Sequence, residues 1–144
     1  MRGPVGAHRA PGHTEGVIAP TSRCPCLSGE TYGDCCGRFH SGALQAPTAE
    51  TLMRSRYSAF AVGDADYLLR TWHPTTRPTT LDLDADQTWV GLDILARTAG
   101  GPLDSSGTVE FVAHYRYGGQ RDSLHEHSRF VREHGRWLYV DALG

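Results

Sequence analysis

Apolar residues in the first part of the chain recur with the spacing of a helix. One apolar face repeats at i, i+4, i+7 and i+8, and its members are Met53, Tyr57, Phe60 and Ala61. Thr48 can cap this helix at its N-terminus, and Gly63 is a typical residue for its end. Asp64 can cap a second, shorter helix that runs through Trp72 and ends before Pro74. The spacing therefore predicts two consecutive helices.

The second half of the chain alternates apolar and polar residues with the period of a β-strand. This alternation and the flanking turn residues predict strands at 88–98, 108–117, 124–132 and 136–141. Gly118-Gly119 opens one connection, and His134-Gly135 fits a two-residue hairpin. The last three strands are therefore expected to form an antiparallel meander. Helices followed by strands predict an α+β fold with the helices on one face of the sheet.

The alternation also assigns polar residues of the third of these strands to opposite faces. His125 and His127 share one face, whereas Glu126 points to the other. If the helices cover the histidine face, it forms a polar pocket for an anionic or carbonyl ligand; if that face meets solvent, it carries cross-strand ion pairs only. Tyr57 and Trp72 have core packing as their alternative role. The residues that could line such a pocket are Tyr57, Trp72, His114, His125, His127 and Arg129.

The four cysteines of the chain fall within thirteen positions of one another, at Cys24, Cys26, Cys35 and Cys36. The loop between the two pairs is dense in turn formers and has no room for a hydrophobic core. A tetrahedral metal with sulfur ligands at about 2.3 Å would take the place of that core. A closed four-thiolate site favours a structural metal over a catalytic one. His40 could replace one thiolate as a ligand, and iron suits the same ligands as zinc. The alternatives to a metal are a disulfide pair or free thiols.

The stretch that begins at Cys24 also carries Ser28, Gly29 and Tyr32 between its two cysteine pairs. In this pattern it resembles the SEC-C motif, the small zinc-binding tail at the end of the SecA protein-translocation motor. In SEC-C motifs the two cysteine pairs bind zinc. The resemblance therefore implies zinc as the cofactor and the following ligands: Cys24, Cys26, Cys35 and Cys36.

The rest of the chain resembles a second group of sequences, the YchJ-like family. The stretches that carry this resemblance are 52–60, 67–74, 77–78, 109–113, 125–130 and 137–141. The later domain of that family is similar to the nuclear-transport-factor-2-like (cystatin-like) fold, a curved sheet with helices over its concave face. The resemblance implies this α+β fold for the chain and brings no established reaction.

Composition and charge narrow the classes of protein and partner. The 144 residues carry a net charge of −2, which gives no indication of binding to nucleic acid or to an anionic membrane. No apolar run reaches the roughly 18 residues of a membrane span, and no signal peptide is evident. All basic residues are Arg, as in GC-rich bacterial genomes, so a bacterial, cytoplasmic protein with reduced thiols is expected. The predicted units are a flexible tail at 1–22, a zinc knuckle at 23–40 and the α+β domain at 41–144.

Two classes of function remain. The first is a protein-interaction module in which the zinc knuckle contacts a partner, and the SecA resemblance makes a chaperone- or ribosome-associated partner conceivable. The second is a small-molecule binder or enzyme that uses a polar pocket on the concave face of the α+β domain. The sequence contains no catalytic motif that pairs a nucleophile with a base and no Gly-rich phosphate-binding loop. This favours the first class. The sequence leaves the oligomeric state open.

Overall fold

The computed structural model describes residues 18–143. A single turn of 3-10 helix at Tyr32–Asp34 is followed by three α-helices, α1 (Cys36–His40), α2 (Ala49–Val62) and α3 (Ala65–Arg70). Four strands complete the chain: β1 (Thr88–Ala99), β2 (Ser106–Tyr117), β3 (Gln120–Glu133) and β4 (Arg136–Ala142). They form one antiparallel sheet in the order β1-β2-β3-β4. The α+β class predicted from the sequence is confirmed, and the meander has four strands rather than three. No helix among the described residues is long and apolar enough to cross a bilayer.

Helix α2 begins and ends at the predicted residues. The Thr48 hydroxyl accepts a hydrogen bond from the Thr51 backbone N–H at 3.1 Å, which satisfies one of the free donors of the first turn. Gly63 follows the last turn with φ of +84°, in the left-handed region where glycine carries no steric cost. Local sequence chemistry therefore sets both ends of this helix.

Helix α3 starts at its predicted cap but stops earlier than expected. The Asp64 carboxylate accepts from the Tyr67 N–H at 3.0 Å. The helix ends at Arg70, because the next residues leave it to pair with strand β4. Trp72 forms a parallel bridge with Tyr139, and the Tyr139 N–H donates to the Thr71 carbonyl at 2.8 Å. This pairing covers part of the free edge of β4, the last strand of the sheet.

Strand β3 begins four residues earlier than predicted, at 120 instead of 124. Gly118 and Gly119 both have positive φ and pair Tyr117 directly with Gln120, so the two strands continue to the tip of the hairpin. The predicted two-residue connection at 134–135 is present, and both of its residues have positive φ, as this turn type requires.

Helix α2 packs on one face of the sheet, which we call the inner face. Strand β2 contributes three fully buried residues to it, and strand β3 contributes Ser128 and Phe130, while α2 supplies Leu52 and Tyr57 from the opposite side. The β2 residues are Val109, Phe111 and Ala113. Glu126 lies on the inner face with them. The opposite face of the sheet, the outer face, carries the alternate residues.

The predicted tail at 1–22 can be compared with the structure only at residues 18–22, because residues 1–17 lie outside the described part of the chain. Its last residues contact the knuckle. The Tyr32 N–H donates to the Ser22 carbonyl at 2.7 Å, and the Gly33 N–H donates to the Pro20 carbonyl at 2.9 Å. The carbonyl groups of residues 20 and 22 are therefore bonded to the loop between the cysteine pairs.

Candidate metal centre

The four cysteine sulfurs converge on one point. All four Sγ atoms lie within 4.8 Å of one another, and no other histidine, cysteine or carboxylate of the described residues joins the group. The Sγ atoms of Cys26 and Cys35 are 3.5 Å apart, and those of Cys35 and Cys36 are 4.0 Å apart. A tetrahedral metal with sulfur ligands at about 2.3 Å requires sulfur–sulfur distances of about 3.8 Å. The donor set and its spacing therefore fit a metal ion.

The two cysteine pairs reach this point through different local structures. The first pair lies in a tight loop, where the Leu27 N–H donates to the Cys24 carbonyl at 3.1 Å and Leu27 has φ of +64°. The Cys24 N–H donates to the Glu30 carbonyl at 3.0 Å, which closes the loop. The second pair lies where the 3-10 turn meets helix α1, and Cys36 is the first residue of that helix.

Helix α2 forms one wall of the cluster. Cys24 Sγ lies 3.6 Å from the Ser58 hydroxyl, and the Cys36 thiol donates to the Arg54 carbonyl at 3.7 Å. Cys24, Cys26 and Cys36 are buried, whereas Cys35 is partly exposed beside the Ser28 hydroxyl, 3.2 Å away. The knuckle is therefore seated on the α+β domain and shares its core.

The thiols of the cluster compete for negative charge. Hydrogen bonds from Cys26 and Cys36 lower the pKa of the Cys24 thiol. The hydrogen bond to Cys24 raises the pKa of Cys26 to about 11 and also raises the pKa of Cys36. The thiols of Cys24, Cys26 and Cys36 by themselves therefore hold one negative charge more readily than a second one. A dication in their centre would allow all four to ionise, so metal binding would release protons.

His40, the candidate to replace one thiolate, does not join the four sulfurs. Its Nε2 donates to the Ser55 carbonyl at 2.8 Å, and its Nδ1 accepts from the Tyr32 hydroxyl at 2.5 Å. Both ring nitrogens are thus occupied in the neutral tautomer. Burial lowers the pKa of His40, which favours this neutral form. The residue ties the knuckle to α2.

The predicted polar pocket is not assembled. Its strand residues lie on the outer face and pair with acidic neighbours there: His125 with Glu110 at 2.7 Å and His114 with Asp93 at 2.8 Å. Arg129 pairs with Asp141, and His127 lies opposite Glu110 in the register of β2 and β3. Tyr57 and Trp72 are on the helix side of the sheet, packed in the core or against it. The six candidate residues therefore do not line one pocket, because α2 packs on the inner face and the histidines lie on the outer face. Two of the candidates belong to the core or pack against it and four lie on the outer face: Tyr57 and Trp72, and His114, His125, His127 and Arg129.

A buried arginine of helix α2 was not predicted from the sequence. Arg56 donates to the Leu68 carbonyl at 2.8 Å and to the Thr71 hydroxyl at 2.7 Å. Its guanidinium lies over the rings of Tyr139 and Trp72, at 4.6 and 5.2 Å from their centroids. Burial lowers the pKa of Arg56 to about 10, so the side chain stays charged at neutral pH. The only signal in the sequence was an arginine next to Tyr57 on an otherwise apolar helix face.

Comparison with known protein families agrees with both parts of the structure. A model of the SEC-C motif matches residues 21–38, and a model described as "YchJ, middle NTF2-like domain" matches residues 48–142. The fold and the cysteine cluster thus define a SEC-C motif protein with an NTF2-like domain. The chain belongs to the YchJ-like family, whose bacterial relatives carry the name UPF0225.

Relatives and solved structures cover most of the chain. A UPF0225 protein of Streptomyces coelicolor is 58% identical over 85% of this chain and 96% of its own. A UPF0225 protein of Bordetella pertussis is 56% identical over 83% of this chain and 90% of its own. The solution structure of a SEC-C motif containing protein from Rhodopseudomonas palustris has a TM-score of 0.72 at 38% identity, with 83% of this chain and 95% of that chain covered. A crystal structure of a SEC-C motif containing protein from Psychrobacter arcticus has a TM-score of 0.71 at 29% identity, with 85% and 82% covered.

Proposed function

We propose that the protein is a zinc-binding protein-interaction module in which the knuckle holds one structural zinc ion and presents its exposed loop to a protein partner. The observation that carries this proposal is the convergence of four sulfurs within 4.8 Å of one another. A closed set of four thiolates has no open position for a substrate, so a metal held there acts on structure. Zinc is the metal most often found in such sites, and iron is the alternative that an analysis of metal content separates from it.

The conformation of Leu27 supports a role in contacts with a partner. This leucine is 55% exposed and has φ of +64°, a left-handed conformation that costs a non-glycine residue roughly 1–2 kcal/mol. Glycine would relieve that cost, and an exposed leucine adds nothing to the core of the protein. A large apolar side chain held outward at the tip of a metal loop suits recognition of an apolar group on another protein. By analogy with the SecA tail, the proposed partner is chaperone- or ribosome-associated.

Metal content tests the first half of the proposal. Protein purified without chelator is expected to contain about one zinc per chain, and Cys24→Ser and Cys35→Ser are expected to lose it. Ser58→Ala is the matched control, because it changes a buried side chain beside Cys24 and leaves all four sulfurs in place. Wild-type protein with four free thiols, no metal and an intact fold would contradict the proposal.

Capture of partners tests the second half. Leu27→Gly is expected to keep zinc and to gain thermal stability, since it removes the strained conformation, yet to lose the captured partner. Cys35→Ser is expected to lose both zinc and partner, whereas His127→Ala on the outer face keeps both. Chaperone or ribosomal proteins should be enriched with the wild type and depleted with Leu27→Gly. If Cys35→Ser captures the same proteins as the wild type, the knuckle only holds the fold together.

A further inference from the structure

A cavity of about 100 Å³ lies where the knuckle, the linker after it and the α+β domain meet. We call it the seam cavity. Buried residues from all three parts line its inner end: Phe39 from α1, Ala46 from the linker, Leu52 from α2, and Trp137 with Leu138 from β4. Exposed residues, Leu44 among them, line its outer end. The cavity therefore has an apolar floor and an opening to solvent.

The floor suits a small apolar group. Sites for small molecules commonly combine apolar walls with one or two polar groups that fix the orientation of the ligand, and they often lie between structural units. An apolar cavity of roughly 150 Å³ holds a benzene ring, so this one fits a branched group of roughly four carbon atoms. An isobutyl group has that size and shape.

Arg136 is among the residues that line the cavity, and its positive charge has no partner in the described part of the chain. It is exposed and makes neither a hydrogen bond nor an ion pair there. Glu133 faces it across the hairpin, but the carboxylate of Glu133 is bound to His73 Nε2 at 2.9 Å. The other arginine of the cavity, Arg70, already donates to the His40 carbonyl at 2.6 Å. Arg136 is therefore the cation left to meet a ligand.

We propose that the seam cavity binds a small monocarboxylate with a short branched apolar group. The apolar group would occupy the floor, and the carboxylate would pair with the guanidinium of Arg136, whose planar fork matches a carboxylate with two hydrogen bonds. The pairing of a single cation with an apolar floor selects for a ligand that has both a charge and an apolar body. This inference goes beyond the proposed function and does not depend on a protein partner.

A titration of the full-length, metal-containing protein tests the proposal. Isovalerate is added to ¹⁵N-labelled protein and amide chemical shifts are followed. Saturable shifts are expected near Phe39, Leu44 and Leu52 and along 136–138. Isovaleramide has the same shape without the charge, and acetate has the charge without the apolar group, so both are expected to bind roughly tenfold more weakly or not at all. No saturable shift with isovalerate, or shifts confined to another surface, would overturn the proposal.

Variants at the rim separate the two parts of the site. Arg136→Gln is expected to weaken isovalerate binding roughly tenfold, the loss typical of a charge-assisted hydrogen bond. Leu44→Asp places a negative charge at the opening and is expected to abolish binding. Arg121→Gln removes an exposed arginine from the tip of the β2–β3 hairpin and should bind like the wild type. Equal affinity in Arg136→Gln and the wild type, with equal metal content and matching amide spectra, would contradict the assignment of the carboxylate to Arg136.

Discussion

Single residues connect the knuckle to the domain, and His40 is one whose two ring nitrogens are both hydrogen-bonded. Its ring lies between the Tyr32 hydroxyl and the Ser55 carbonyl and packs on the ring of Tyr67, with centroids 4.6 Å apart. The Tyr67 hydroxyl in turn bonds the Ser55 hydroxyl at 2.7 Å. Burial disfavours a charged imidazole here and lowers the pKa of His40, so the buried polar chain is built around the neutral ring.

The buried state of His40 predicts a loss of stability in mild acid. Burial lowers its pKa in the folded protein, while the unfolded chain titrates near pH 6.5. Below that pH the unfolded state binds more protons, so the free energy of unfolding should fall as the pH falls. Urea unfolding between about pH 7 and pH 5 should show this slope in the wild type and a weaker slope in His40→Gln, which can make the same two hydrogen bonds.

A matched control keeps this prediction specific to His40. His134→Asn changes an exposed histidine in the β3–β4 turn, where asparagine tolerates the positive φ. Its pH dependence should follow that of the wild type. If His40→Gln retains the full wild-type slope, the acid sensitivity comes from other groups.

At the scale of the elements, helix α2 is the common support of the molecule. One side of it packs on strands β1, β2 and β4, and another side carries the cysteine cluster and α1. Arg54 illustrates this double role: its side chain bonds Glu50 at 3.0 Å within the helix, while its carbonyl accepts from the Cys36 thiol. Loss of order at the start of α2 therefore affects the sheet and the knuckle together.

The cap of α2 is expected to stabilise the whole chain. Thr48→Ala removes the acceptor for the Thr51 N–H and should lower the free energy of unfolding by about 1 kcal/mol. Thr48→Ser keeps the hydroxyl and should stay within a few tenths of a kcal/mol of the wild type. Chemical denaturation of both variants measures the difference. Equal loss in the two variants would show that the methyl group of the threonine, and not its hydroxyl, is responsible.

At the scale of the whole molecule, the cysteine cluster and the sheet are two packed regions joined by α2. The cysteines belong to the same core as the residues under the sheet, yet the knuckle itself is short and rich in turns. Without a central ion it has few apolar contacts of its own. The sheet, by contrast, is held together by long antiparallel hydrogen-bond ladders between β1, β2 and β3.

Removal of the metal is therefore expected to loosen one part and spare the other. After treatment with a strong chelator, amide hydrogen exchange should rise in residues 24–40 and in the turn of α2 around Arg54, and stay slow in β2 and β3. Added zinc should restore protection. Unchanged exchange in 24–40 after complete metal removal would show that packing on α2 alone holds the knuckle.

Both ends of α2, the start of α3, the presence of four strands and the cysteine set could be predicted from the sequence because each depends on local chemistry. The caps at Thr48, Gly63 and Asp64 act on neighbouring backbone groups, and alternation along β2 and β3 is a property of the strand itself. The cysteine spacing likewise brought together the four donors that the structure places within 4.8 Å of one another. These features need no information about distant parts of the chain.

Tertiary structure decided which face of the sheet the helices cover, and this choice determined the candidate sites. Alternation separated His125 from Glu126 but gave no sign of which of them would be buried; packing of α2 placed Glu126 inside and the histidine in solvent. The same packing buried Arg56 and created the seam cavity, whose walls come from segments nearly one hundred residues apart in sequence. The sequence by itself thus determined the elements and the set of four cysteines that cluster, since these follow from short-range periodicity and spacing. Only the fold determined the pockets, because a pocket is formed by surfaces that local periodicity cannot orient toward one another.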